Sequence, residues 1–218
     1  MENNFKTKIC GITRPEDATF ALKQGTDYIG LINYQKSPRF INESRIKELI
    51  DDIPLGKRVY VNVSPSPEEL QRILTLGFDY YQIHFNANTD IQVLKTWSSI
   101  VKPHQLWLAP RISKKDPFPE HLLKLTNTIL LDSYNVNLYG GSGETGDWNN
   151  FRTLRKAYPQ TQFILAGGLN TKNINNAVSL SGANFVDFNS GVEESPGIKD
   201  HQAIEELFSL ISKFRKPH

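Results

Sequence analysis

The chain has one cysteine among its 218 residues. A single thiol cannot close an intrachain disulfide, so the fold is not stapled and a reducing compartment, the cytosol, is the expected setting. Long hydrophobic runs are missing too: no apolar stretch approaches the roughly 20 residues of a membrane-spanning helix. Met1 to Lys8 is polar and lacks the apolar centre of a signal peptide. Charge of one sign is scarce. Lys and Arg number 25 against 23 acidic residues, a formal net charge of +2, and the cations are spread along the chain. That leaves no basic stripe of the kind nucleic-acid binding needs. The five histidines, His84, His104, His121, His201 and His218, have no paired-ligand spacing, and one cysteine cannot build a thiolate cage. No metal site is expected. Neither a Walker-type phosphate loop nor a G-x-G-x-x-G dinucleotide fingerprint occurs; Gly141-Ser142-Gly143 is the nearest approach. A heptad repeat is absent as well, which makes a monomer the default.

What is present is an alternation of short apolar strands and amphipathic helices. Apolar residues make up 39% of the chain and charged ones 22%, the balance of a globular protein. Candidate strands are Lys6 to Cys10, Asp27 to Asn33, Arg58 to Val63, Asp79 to His84, Gln105 to Ala109, Thr128 to Asp132, Gln162 to Ala166 and Ala183 to Phe188. Their starts lie about 20 to 35 residues apart, room for a strand, a crossover helix and two loops. Thr13-Arg14-Pro15-Glu16 reads as a capping box with Thr13 as N-cap, and Ser66-Pro67-Glu68-Glu69 repeats the device. Gly25 and Gly77 suit the helix ends that follow. Ile46, Leu49, Ile50 and Ile53 form one apolar stripe, and Ile204, Leu207, Phe208 and Ile211 form another. Between Pro110 and Leu125 the two further residues Pro117 and Pro119 leave space for a loop or a short helix only.

Eight strand–helix units with no spare segment favour one domain, residues 1–218, closed into a parallel (β/α)8 TIM barrel with a shortened fifth helix. A doubly wound open sheet is the alternative. In a barrel the chemistry sits at the carboxyl ends of the strands, and the unusual residues fall there. Cys10 ends the first strand; alternation puts it on one face with Lys8, pointing inward, and Ile9 on the other. A buried cysteine is commonly an inert small hydrophobe, but beside an ammonium the thiolate, and so a general base, is favoured. Asp132 ends the sixth strand as a loop cap or as a catalytic acid whose proton an apolar pocket would retain. Arg39, stiffened by Pro38, is a surface arginine or a carboxylate clamp. His84 is structural hydrogen bonding or a substrate contact. Gly167-Gly168 and Ser190-Gly191 follow the last two strands, where backbone N–H groups can cradle phosphate; the plain alternative is a pair of tight turns.

Taken in order, Lys8-Ile9-Cys10-Gly11-Ile12-Thr13, Lys36-Ser37-Pro38-Arg39, Gln82-Ile83-His84, Leu131-Asp132, Gly140-Gly141-Ser142-Gly143, Leu165-Ala166-Gly167-Gly168-Leu169 and Ser190-Gly191-Val192-Glu193 resemble the phosphoribosylanthranilate isomerase family of tryptophan biosynthesis. The resemblance spans nearly the whole chain. It implies an Amadori rearrangement of a phosphoribosyl substrate by acid–base catalysis, without a cofactor. By the same resemblance Asp132 is the general acid, Cys10 the base, Arg39 the clamp for the anthranilate carboxylate, and His84 and Asp187 lie near the substrate. Gly167, Gly168, Ser190 and Gly191 hold its phosphate. Phe85, Asn33, Glu144 and Gly146 depart from the family pattern. Phe85, in place of glycine, is expected to narrow the mouth at the fourth strand, and Glu144 would repel an anionic substrate if it faced one. The competing readings are another phosphosugar-handling barrel, such as indole-glycerol phosphate synthase or a histidine-pathway isomerase, and a non-catalytic barrel acting as a binding module. Cys10 and Lys36-Ser37-Pro38-Arg39 favour the isomerase.

Overall fold

Alternating strands and helices close on themselves. The computed structural model describes residues 5–113, 116–132 and 147–215. Its strands are β1 (Lys6–Cys10), β2 (Tyr28–Ile32), β3 (Arg58–Val63), β4 (Tyr80–Asn86), β5 (Leu106–Arg111), β6 (Thr128–Asp132), β7 (Gln162–Ala166) and β8 (Phe185–Phe188). They form a closed barrel in sequence order. Every neighbouring pair is parallel, including β1 with β8. The helices are α1 (Pro15–Lys23), α2 (Glu43–Ile50), α3 (Pro67–Ile73), α4 (Ile91–Ile100), α5 (Trp148–Ala157), α6 (Ile174–Ser181) and α7 (His201–Ile211). Among the described residues, only a 3₁₀ segment, Glu120–Lys124, stands between β5 and β6, in keeping with the prolines of that stretch. After β8 the chain adds a short hairpin, β9 (Glu193–Ser195) against β10 (Ile198–Lys199).

Strand alternation sorts the side chains into two cores. Ile9, Ile29, Leu31, Ile83, Leu108, Ile129 and Leu165 face outward and pack under the helices. Both apolar helix stripes are buried there in full. Inside, Tyr28, Tyr80, Trp107 and Phe185 plug the amino-terminal end, with ring centroids 4.9 Å apart for Tyr80–Trp107 and 5.5 Å for Trp107–Phe185. The aromatic plug closes that end, and Cys10, His84 and Asp132 stand at the opposite, carboxyl-terminal ends of β1, β4 and β6.

Local signals translate unevenly. Ser66 caps α3, accepting from the Glu69 N–H at 3.1 Å, with Pro67 in the first turn. Gly25 and Gly77 adopt positive φ, 93° and 81°. Thr13 does not cap α1: the N-cap is Arg14, without a side-chain hydrogen bond. The Thr13 hydroxyl instead donates to the Gly197 carbonyl at 2.6 Å, so a tertiary contact to the hairpin outcompetes the local cap. Phe85 does not narrow the mouth. It is the outward residue between His84 and Asn86, 3% exposed, and packs edge-on against Trp97 of α4 at 5.7 Å. Asn33 is likewise outward, donating to the Ile41 carbonyl at 2.8 Å. Glu144 and Gly146, like the stretch Gly140 to Gly143, lie outside the described residues.

At the amino-terminal end the last described residue staples the barrel. Arg215 donates from Nη2 to Asp27 Oδ2 at 2.7 Å and to Thr7 Oγ1 at 2.8 Å, and from Nη1 to the Gly25 carbonyl at 2.8 Å. Both charged side chains are partly open to water, which screens the pair. Arg215→Ala is expected to lower unfolding stability by about 1–2 kcal/mol, read as a shifted urea midpoint at unchanged slope. An unchanged midpoint would mean that the terminus is not docked in solution.

Candidate active site

The last inward residue of β1 is Cys10, and its lower inward neighbour is Lys8. Both lean over Gly30 of β2. A Cβ at Gly30 would sit 2.8 Å from Cys10 Sγ and 2.9 Å from Lys8 Cε, so glycine is what makes room for both side chains. The Lys8 ammonium lies beside Cys10 over Gly30 and reaches across to β8, where it donates to both carboxylate oxygens of Asp187 at 3.0 Å. Lys8 is fully buried and Asp187 is 8% exposed. Asp187 is therefore committed to Lys8 rather than standing free in the lumen. A buried ion pair is a poor source of stability, since replacing such a pair by apolar residues is often neutral or stabilising by about 1–4 kcal/mol. Its presence beneath the only cysteine points to chemistry rather than packing.

Electrostatics in the resting site differ from the sequence expectation of a thiolate. Burial raises the Cys10 pKa above its ordinary value, and the nearby Asp187 anion adds to that. The attraction of Lys8 and of Lys199 opposes the rise without cancelling it. Burial is the largest of these effects, and Lys8 also answers Asp187. The thiol is the resting form. Asp187→Asn should move the ionisation of Cys10 to lower pH, because Lys8, left as an uncompensated buried cation, is then relieved by the thiolate beside it. The ultraviolet absorbance of the thiolate, with Cys10→Ser protein subtracted, reads this directly in a chain with one cysteine. A midpoint that stays put or rises would contradict the assigned coupling.

Around the thiol lie three loops. The loop after β2 turns back through Ser37, whose N–H donates to the Tyr34 carbonyl at 2.8 Å and whose Oγ accepts from the Arg39 N–H at 3.1 Å. Arg39 then lies across Gly11, where a Cβ would meet its Cδ at 2.6 Å. Its guanidinium is not a solvated surface group: it pairs with Glu193, Nη2 to Oε2 at 2.5 Å, and is only 15% exposed. Lys199 joins the same carboxylate at 2.7 Å.

The loops after β7 and β8 meet closely. Gly167 and Gly168 take φ of 95° and 61°. A Cβ on Gly191 would fall 2.0 Å from the Leu169 carbonyl oxygen, a backbone clash that any other residue would create. Asn170 and Asn173 both donate to the Gly168 carbonyl, at 3.0 and 2.9 Å, fixing the first loop from behind. Gly168 and Ser190-Gly191 thus belong to one rim of the mouth.

On β4, His84 faces inward above Gln82, with Gln82 Nε2 2.8 Å from His84 Nε2. Burial, assisted by the positive charges of Lys8 and Arg111, pushes the imidazole pKa down to about 4, so His84 is neutral at pH 7 and serves only as a hydrogen-bonding group. Gln82 Oε1 is buried and has no partner among the described residues.

Asp132 is the last residue of β6 and shares the face of Leu130, which lies in the inner core with Cys10. It is exposed at the mouth. Among the described residues no apolar pocket encloses it; the segment that follows, 133–146, is outside them. Asp132 and Cys10 thus end β6 and β1 on the same, inward side of the barrel, with β7 and β8 between.

Sequence reasoning missed Lys199 and Glu193 as members of the site. Gly30 could have been found, because a glycine at an inward strand position signals a close approach. No group of three or more His, Cys, Asp or Glu suited to a metal ion occurs among the described residues. None of the described helices is long and apolar enough to cross a membrane.

Residues 7–209 match the family model of N-(5'-phosphoribosyl)anthranilate (PRA) isomerase. The protein of that name from Neisseria meningitidis serogroup C is 34% identical over 215 residues, covering 97% of this chain and 99% of its own. The crystal structure of phosphoribosyl anthranilate isomerase from Thermotoga maritima aligns over 95% of this chain and 98% of its own, at 29% identity and a TM-score of 0.81. A phosphoribosyl anthranilate isomerase crystallised with reduced 1-(o-carboxyphenylamino)-1-deoxyribulose 5-phosphate aligns over 95% and 98% of the two chains, at 27% identity and a TM-score of 0.78. A barrel with its one cysteine over a buried Lys–Asp pair, matched along almost its full length, belongs to the N-(5'-phosphoribosyl)anthranilate isomerase family.

Proposed function

We propose that this chain isomerises N-(5-phosphoribosyl)anthranilate to 1-(2-carboxyphenylamino)-1-deoxyribulose 5-phosphate, with Asp132 and Cys10 as its acid and base. The observation that carries the assignment of roles is the inward cluster Cys10–Lys8–Asp187 at the end of β1, in a barrel whose β6 ends in an inward carboxylate. In the first step the Asp132 carboxyl gives its proton to the furanose ring oxygen, and the C1′–O bond breaks as the anilino nitrogen lone pair forms a Schiff base. In the second, Cys10 as thiolate takes the proton from C2′, and the electron pair left behind moves into the C1′–C2′ bond to give an enolamine. Protonation at C1′, with loss of the proton of the C2′ enol hydroxyl, then yields the ketone. Protons move without net redox change, so the chemistry asks for no cofactor.

The thiol must ionise in the loaded site, and Lys8 and Lys199 are the cations that favour this. Arg39 would take the anthranilate carboxylate through the guanidinium edge not used by Glu193. The backbone of Gly167, Gly168, Ser190 and Gly191 would cradle the phosphate at the opposite rim, with His84 and Asp187 below the sugar. The proposal extends to one catalytic unit acting as a cytosolic monomer. Exposed large apolar side chains among the described residues, Leu55, Leu74, Val93, Leu180 and Ile198, come from separate loops and elements and form no common patch along one of them.

The test is an assay with the fluorescent substrate generated in situ by condensing anthranilate with ribose 5-phosphate. Enzyme-dependent loss of fluorescence, with the deoxyribulose phosphate appearing, is the expected result. Loss no faster than spontaneous decay would remove the proposed activity.

A further inference from the structure

Glu193 has no role in the chemistry above, yet its side chain is 3% exposed and takes donors from three separate places. Arg39 of the β2 loop gives Nε at 2.9 and 3.0 Å and Nη2 at 2.5 Å. Lys199 of β10 gives Nζ at 2.7 Å, and the hairpin's Gly197 N–H adds a fourth donor at 3.2 Å. Lys199, itself 0% exposed, is held further by the Asn189 carbonyl at 3.4 Å and side chain at 3.2 Å. One carboxylate therefore joins the rim after β2 to the hairpin after β8, and Thr13 ties the rim after β1 to that hairpin.

Resting on the functional reading above, we propose that Glu193 is a positioning residue for substrate recognition: it fixes Arg39 and Lys199 side by side so that only the outer edge of the Arg39 guanidinium is offered to the aryl carboxylate. A guanidinium presents five N–H donors on two edges, each of which can grip a carboxylate bidentately. Glu193 takes the Nε–Nη2 edge, so an incoming carboxylate must approach end-on. Two cations and one anion leave a net single positive charge, matched to one carboxylate. An arginine already held carries less rotamer entropy into the complex, so more of the ligand's hydrogen-bond energy appears as affinity. The Glu193 carboxyl is itself held below its ordinary pKa: burial alone would raise it, but the hydrogen bonds from Arg39 and Lys199 outweigh that.

The experiment compares two probes on wild-type and Glu193→Gln protein by calorimetry. One is reduced 1-(o-carboxyphenylamino)-1-deoxyribulose 5-phosphate; the other is the same molecule without the aryl carboxylate. Wild-type protein should prefer the carboxylated probe, and Glu193→Gln should cut that preference about tenfold while leaving the other Kd nearly unchanged. Glu193→Asp, which keeps the charge and allows a shorter reach, should recover part of the preference, and it serves as the test variant if the amide does not fold. Equal losses for both probes would reduce Glu193 to a structural brace, and an undiminished preference would also overturn the proposal. A wild-type protein that binds the two probes alike would instead remove the Arg39 clamp, and with it the functional reading on which this one rests.

Discussion

Cys10→Ser should fold normally and turn over about 10²–10⁴-fold more slowly, the range a single general base contributes. The substitution is nearly isosteric. Serine fits over Gly30 where cysteine does, so the packing change is small. What is lost is acidity. A thiol already raised by burial can still be ionised with the help of Lys8 and Lys199; a hydroxyl in the same place cannot be at any pH the protein survives. The loss should appear in kcat, with KM for the substrate little altered, since Cys10 does not hold the ligand's charged ends. Comparable thermal midpoints for variant and wild type complete the measurement. A variant within tenfold of wild type would place the base elsewhere, and Asp187, the carboxylate paired with Lys8, would be the group to examine.

Asp132→Asn carries the second large effect, again about 10²–10⁴-fold in kcat. An amide keeps the shape and polarity of the carboxyl but cannot deliver a proton to the ring oxygen. Because Asp132 is exposed at the end of β6, the substitution should leave stability within about 0.5 kcal/mol of wild type. On the proposed roles the two variants differ in the step they block. Without Asp132 the ring should stay closed, whereas without Cys10 ring opening should proceed and the Schiff base wait for a base. Borohydride quenching during the reaction separates them: reduced, open-chain adduct should build up with Cys10→Ser and not with Asp132→Asn. The reverse pattern would exchange the two roles.

Much of the barrel was legible in the sequence, because strand alternation and helix periodicity are local. Read from the chain alone, Lys6 to Cys10, Arg58 to Val63, Thr128 to Asp132 and Gln162 to Ala166 coincide with β1, β3, β6 and β7. The inward pairing of Lys8 with Cys10 followed from parity and holds. What failed was local inference where a distant partner decides. Thr13 carries a good capping sequence, but Gly197 claims its hydroxyl from 184 residues away. Phe85 looked obstructive because it stands where the family has glycine; parity turns it outward onto Trp97. Lys8 suggested a thiolate, and only the fold reveals that Asp187 already occupies that ammonium. Glu193 was visible only as part of a family-like segment and Lys199 not at all, since their ion pair forms only when the hairpin is folded over the barrel mouth.

Turnover by the doubly substituted Cys10→Ser, Asp132→Asn protein tests most directly whether the two groups serve successive proton transfers on one sugar. If each lowers its own barrier, the higher barrier alone sets the rate, and the double variant should be about as slow as the slower single variant. Losses that multiply would place both groups in one transition state, and a double variant near wild-type speed would dismiss the pair altogether.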